Sequence, residues 1–166
     1  MERVGRTLAV LTVVGAAALA GTAAGATSTE AAGVQSLTAR EQSLLRAINQ
    51  ARARHGAPPL RVGIRLQRAA RAHSRAMVRS GDFSHGDWYG RLRRFGVQGP
   101  MLGETLAWGI GAKGTAAWIV RMWLASPGHR EIMLRPGFRL VGVGVTVGPM
   151  AGFPAASVAT ADYSGQ

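Results

Sequence analysis

Four residues concentrate the chemistry of this sequence: His85, Glu104, Ser126 and His129. The densest stretch is 123–134, W-L-A-S-P-G-H-R-E-I-M-L, where one helix should end and another begin. Ser126 is placed to cap the second helix, and Pro127 suits its first position, where a missing N–H costs nothing. His129 then falls in the first turn. The helix dipole and free N–H groups there disfavour positive charge, so its imidazole is expected to be neutral at pH 7. A neutral imidazole ligates metal or accepts a hydrogen bond. Phe83-Ser84-His85 and Gly103-Glu104-Thr105 bring a second imidazole and a carboxylate. Two histidines and a carboxylate are what an open catalytic zinc site uses, with water in the fourth position. The same side chains also suit a hydrogen-bonded cluster that ties three elements together, and both readings stand at this point.

Other polar residues are less informative. Glu131 follows His129 by two residues, about 200° around the helix, and should point elsewhere. Asp87, two residues after His85, suits a helix cap, with reach into the site from its loop as the alternative. Asp162 has no role readable from sequence. No nucleophile stands out: Ser84 precedes His85 without a G-x-S-x-G elbow, and Ser126 is spent on capping. Hydrolysis would therefore need metal-bound water, with Glu104 or a histidine as base.

The chain has 166 residues, enough for one domain with a real core. It has no cysteine, which excludes disulfides and thiolate chemistry. Its net charge of +12 comes from 19 Arg and one Lys against eight acids, and suits anionic surroundings such as envelope polymer or lipid. No zinc finger, RNP-like run or basic zipper points to specific nucleic-acid binding.

Arg3 and Arg6 precede an apolar run over 8–20, and Ala24-Gly25-Ala26 fits an A-x-A cleavage site. This is the layout of a secretory signal peptide over 1–26. The alternative is an uncleaved anchor, since 8–26 is nearly long enough to span. Residues 27–36 read as a flexible lead, and 37–166 as a single domain.

Thr38-x-x-Glu41 is a capping box opening a helix to about residue 54. A second helix is expected over 64–80, with Arg65, Arg68, Arg71, Arg75 and Arg79 inside an arc of about 120°. Leu66, Ala69, Ala70, His73 and Met77 take the opposite side. The arginine face reads as solvated or as an anion-contacting surface, and His73 as a buried, hydrogen-bonded histidine. Short helices are expected over 88–95, 116–125 and 127–134, and an extended segment over 102–108. Alternation over 140–147 and 154–163 predicts an antiparallel hairpin around a turn at 148–152. Glycines at alternate positions of its first strand imply close approach of another element. Helices first and strands last give an α+β class.

These pieces together resemble the bacterial SCP-like extracellular branch of the CAP superfamily (cysteine-rich secretory proteins, antigen 5, pathogenesis-related 1). The resemblance rests on Ile48-Asn49-x-x-Arg52, Pro59-Leu60, Phe83-Ser84-His85, Gly103-Glu104, Trp123-x-x-Ser126-Pro127-Gly128-His129-Arg130, Val141-Gly142-Val143-Gly144 and Asp162-Tyr163, in order over 38–163. It implies an α-β-α sandwich with a three- or four-stranded antiparallel sheet between helical layers. It also implies a central cleft in which His85, Glu104 and His129 match three of four residues that can hold a divalent cation such as zinc. Ser126 stands where the family's second glutamate would be, and Gly103-Glu104-Thr105 departs from the commoner G-E-N.

The functional expectation is a secreted, monomeric binding module. Its polar His/Glu cleft, made by His85, Glu104, His129 and Ser126, would take a small or amphipathic ligand or a weakly held metal, with Trp88, Trp108 and Trp123 as apolar walls. Its arginine face would meet anionic envelope polymer or lipid. The alternative is a metal-assisted hydrolase acting outside the cell.

Overall fold

The computed structural model describes residues 36–165. The expected leader over 1–26 and nearly all of the lead over 27–36 lie outside the described residues. Helix α1 (Ala39–Arg54) starts on the expected capping box: Thr38 Oγ1 accepts from the Glu41 amide, and Glu41 Oε2 accepts from the Thr38 amide at 2.8 Å. Two orphan donors of the first turn are thereby satisfied. β1 (Arg61–Val62) leads into α2 (Ile64–Ser80), which stops at Gly81 in the left-handed region, φ 72°. Asp87 caps α3 (Trp88–Arg94), its side chain accepting from the Gly90 amide. β2 (Leu102–Gly109) and a 3₁₀ turn precede α4 (Ala116–Ala125), capped by Thr115. α5 (Pro127–Leu134), β3 (Phe138–Met150) and β4 (Phe153–Gly165) complete the described chain.

The sheet order is β1-β3-β4-β2. β2, β3 and β4 are antiparallel, as expected, whereas the two-residue β1 runs parallel to β3. β3 and β4 are longer than the alternation suggested, and the turn shrinks to Ala151 and Gly152. The stretch expected as a turn from residue 148 is instead the end of β3, with an irregular register between Gly148 and Met150.

Period-two side-chain direction divides the sheet into two faces. Val141, Val143, Ala159, Ala161 and Tyr163 pack on one side with Leu44 and Ile48 of α1, Ile119 and Trp123 of α4, and Met133 of α5. The other face carries Glu104, Leu106, Val158, Thr160 and Asp162, and α2 lies across it. A Cβ at Gly142 would land on the backbone of Leu66 and Gln67. Only a bare glycine admits a helix backbone so close, which accounts for the alternate glycines of β3. Gln67 seals this contact by donating to Val143 O at 2.5 Å and accepting from the Val143 amide at 2.9 Å. Buried between helical layers, the sheet forms the α-β-α sandwich that the resemblance implied.

Two side chains of α1, Asn49 partly buried and Arg52 fully so, fasten neighbouring segments to that helix. Asn49 exchanges hydrogen bonds with the backbone of Leu60, at 3.0 and 2.8 Å. Arg52, with no exposed surface, donates to the carbonyls of Pro58, Met133, Arg135 and Phe138. That grip holds the link from α5 to β3, one wall of the cleft described next.

Candidate functional site

Glu104 and Asp162 are direct partners in the antiparallel register of β2 and β4, so their side chains share one face of the sheet. Both are buried, at 3 % and 0 % exposure. Arg91 of α3 is also buried, and donates from one terminal nitrogen to Glu104 Oε2. The same nitrogen lies 3.7 Å from Asp162 Oδ1, and the other donates to the backbone carbonyl of His85 at 3.4 Å. His85 reaches Glu104 Oε1 from the far side through Nδ1, at 2.7 Å. A carboxylate can only accept, so Nδ1 carries the proton and Nε2 is left as an acceptor. The His85 side chain is half exposed, whereas that of Glu104 is buried.

Burial raises both acids. Glu104 is lifted to about 7, against the pull of the Arg91 charge. Asp162 is driven well above the usual carboxylate range by burial and by the neighbouring Glu104 charge. Among the described residues neither Asp162 oxygen has a hydrogen-bond donor. Two facing carboxylates are both acceptors, and a proton on one supplies the missing donor. Asp162 is the better holder of that proton, because Arg91 and His85 stabilise the charge on Glu104. His73 of α2 closes the cluster, its Nε2–H donating to Ser84 O at 3.0 Å. Burial, aided by the Arg91 charge, lowers its pKa to about 4. It is therefore neutral, and its 4.0 Å approach to Glu104 is not an ion pair.

The structure brings His85 and Glu104 into hydrogen-bond contact. His129, third in α5 and half-buried, lies near enough for the His85 charge to lower its pKa, after the larger effect of burial. Neither His129 nor Ser126 lines the cleft that contains His85 and Glu104. Ser126 occupies the capping position of α5, but its hydroxyl caps nothing; Pro127 alone adapts that first turn. Glu131 points away, paired with Arg135 at 2.5 Å. Among the described residues no group of three His, Asp or Glu side chains is arranged to hold a metal ion. No three-ligand set is therefore offered to the implied cation: both Glu104 oxygens are engaged, one by His85 and the other by Arg91, which leaves His85 Nε2 as the acceptor of this pair.

The cleft encloses about 410 Å³ beside the outer strand β2. His85 and Glu104 line one side with Trp88 and Leu102, and Ile132, Arg135 and Phe138 line the other. Gly103 allows this closure, since a Cβ there would press on Ile132 and Phe138 at 3.0 Å. Of the three tryptophans expected as walls, only Trp88 serves. Trp123 is core and donates to Leu106 O at 2.8 Å, and Trp108 packs against Phe153.

The arginine face also needs correction. Arg71 is 9 % exposed and forms a two-pronged pair with Glu41, at 2.8 and 2.6 Å, while also donating to Ser36 O. The capping box on α1 aims Glu41 at α2, so Arg71 belongs to the contact between helices. Arg65, Arg68, Arg75 and Arg79 remain exposed.

Comparison with known proteins identifies the class to which this layered α-β-α domain belongs. Residues 45–163 match the cysteine-rich secretory protein family, CAP, and the chain belongs to that family. The uncharacterized protein YkwD of Bacillus subtilis (strain 168) is 31% identical over 123 residues, 71% of this chain and 47% of that protein. An extracellular protein containing a SCP domain from Bacillus anthracis str. Ames superposes with a TM-score of 0.66 at 25% identity, covering 80% of this chain and 45% of that one. An outer surface protein of Borrelia burgdorferi shares the fold with a TM-score of 0.63 at 17% identity, covering 81% and 99%. This chain thus spans about half the length of the two Bacillus proteins.

Sequence reasoning missed Arg91, Asp162 and His73 as members of the site. Asp162-Tyr163 was part of the family pattern, and counting in twos along β2 and β4 would have set Asp162 opposite Glu104. Arg91 looked like one of many arginines.

Proposed function

We propose that this protein works outside the cell as a binding module whose cleft takes a small amphipathic organic ligand. The composition of the cleft carries this reading. Trp88, Leu102, Ile132 and Phe138 offer apolar wall, while His85 Nε2 and the Arg135 guanidinium offer one acceptor and one cationic donor for a polar head. Such a mixture of apolar lining and few polar groups is typical of small-molecule sites. Export is supported by the leader pattern at 1–26 and by relatives described as extracellular or outer-surface proteins. Among the described residues no helix is long and apolar enough to cross a membrane.

A binding role is favoured over hydrolysis by the partners of His85. Its Nδ1 hydrogen bond goes to Glu104, whose other oxygen accepts from Arg91, so Glu104 is not free to act as the base that metal-bound water would need; Ser84 Oγ donates to Asp82 at 3.0 Å. The test is native mass spectrometry of protein purified from culture medium, comparing wild type with Trp88→Ala. A co-purifying organic molecule of fixed mass, depleted in Trp88→Ala, is expected. Wild type that binds nothing, or a ligand retained equally by the variant, defeats this reading.

A further inference from the structure

The polar cluster already contains a cation. Arg91 arises from α3, whose capped start follows His85 by three residues, so one short segment delivers both the imidazole and the guanidinium. The guanidinium donates to Glu104 and to the His85 carbonyl and lies 3.7 Å from Asp162. It is 8 % exposed, and its Nε has no hydrogen-bond partner. A surface arginine recruited for solubility would not be sunk against two buried acids. We propose that Arg91 is the resident cation of this cleft and that its guanidinium closes the His/Glu cluster to divalent metal.

Three features support this. Zinc requires free lone pairs from about three protein ligands. Here Glu104 has one oxygen on Arg91 and the other on His85 Nδ1, and His73 Nε2 faces the Ser84 carbonyl. The ring nitrogen of His85 nearest the acid is thus a donor, not a ligand, and its other nitrogen faces away from Glu104. Second, a dication entering beside Arg91 meets a like charge that already occupies the Glu104 carboxylate, in a buried site where solvent screens little. Third, the guanidinium is tethered to the site by its own chain and presents a planar fork of donors that suits carboxylates, so no change of metal supply displaces it. A bound metal is released by chelators, whereas this arginine is part of the fold. The proposal concerns the acid cluster alone and is independent of which organic ligand the cleft takes.

The experiment titrates the purified protein with Co²⁺ and Zn²⁺, using calorimetry and the visible spectrum of Co²⁺. The chains compared are wild type, Arg91→Leu, Arg91→Lys and Arg91→Leu with Glu104→Gln. Wild type and Arg91→Lys, which keeps the charge, are expected to show no saturable uptake. Arg91→Leu is expected to gain saturable uptake of one metal equivalent, which wild type lacks, and to lose it when Glu104→Gln is added. One-to-one Zn²⁺ uptake by wild type that Glu104→Gln abolishes would overturn the proposal, as would a folded Arg91→Leu with no gain. If Arg91→Leu does not fold, Arg91→Gln carries the same comparison, and uptake by wild type remains decisive by itself.

Discussion

Glu104 and Asp162 face each other across β2 and β4, the first hydrogen-bonded by both His85 and Arg91, the second 3.7 Å from Arg91 and without a hydrogen-bond donor among the described residues. The asymmetry assigns the shared proton to Asp162. Asn keeps the size of Asp and carries its own donor toward Glu104, so Asp162→Asn imitates the protonated form. Because both acids have folded pKa values above their unfolded ones, the folded state holds extra protons. Their stabilising effect is full below the ordinary unfolded carboxylate values and is lost as pH rises, in the case of Glu104 through about 7. Asp162→Asn should therefore be more stable than wild type at pH 8, on the order of 1–3 kcal/mol, with the gain shrinking toward pH 4. Urea unfolding at several pH values checks it; a gain that grows toward acid would place the proton elsewhere.

His73 has the opposite sign. Its folded pKa is about 4 against 6.5 for the free side chain, so the unfolded chain takes up its proton first. The associated stability is complete above pH 6.5 and is lost as pH falls toward 4. Glutamine places an amide N–H near the position of Nε2 and does not titrate. His73→Gln should keep the bond to Ser84 O and lose up to about 3 kcal/mol of the acid-dependent destabilisation. Thermal melts at pH 7 and pH 4.5 measure this, and an unchanged pH 7 to 4.5 difference would show that another group governs the acid limb.

What could be read before the structure was local. Thr38, Thr115, Asp87 and Gly81 mark element ends because their chemistry is satisfied within three or four residues. The alternation of Val and Gly from 141 to 144 encodes a sheet face pressed by a helix, and α2 is that helix. Cross-chain partners were not legible. A helical wheel places Arg71 among solvated arginines because it contains no information about Glu41, 30 residues earlier, whose direction is set by another helix. Arg91 and Asp162 acquire meaning only once the β2–β4 register is known, since a slip of one residue would turn Asp162 to the opposite face.

The division among the arginines gives a sharp contrast. Arg71→Ala leaves Glu41 buried and unpaired and should cost about 3 kcal/mol. Arg68→Glu with Arg75→Glu changes exposed positions, expected to cost about 1 kcal/mol at most. The double variant should nevertheless bind anionic envelope polymer or anionic vesicles more weakly, and increasingly so as salt is lowered. Sedimentation with such material at two salt concentrations tests this; equal binding by wild type and the double variant would make the face merely solvated.

Two glycines flank the site with opposite demands. At Gly142 a methyl group would enter the backbone of Leu66 and Gln67, and these atoms cannot rotate aside. Gly142→Ala must lift α2 from β3, strain the Gln67–Val143 bonds and carry His73 away from Ser84 and Glu104. Overpacking of this kind costs about 1–3 kcal/mol, and the rigid backbone on both sides places this case at the upper end. Gly128, beside His129 in α5, meets nothing within 4 Å and lies in a helix. Gly128→Ala should therefore stabilise by about 0.5–1 kcal/mol by reducing the freedom of the unfolded chain. Chemical denaturation of the two variants gives the magnitudes, and the histidine ring resonances show where the damage falls. Gly142→Ala should shift those of His73 and His85 through the moved helix, while Gly128→Ala leaves them in place. If Gly142→Ala is as stable as wild type, the contact of α2 with the sheet is looser than described, and the position of His73 in the cluster does not depend on it.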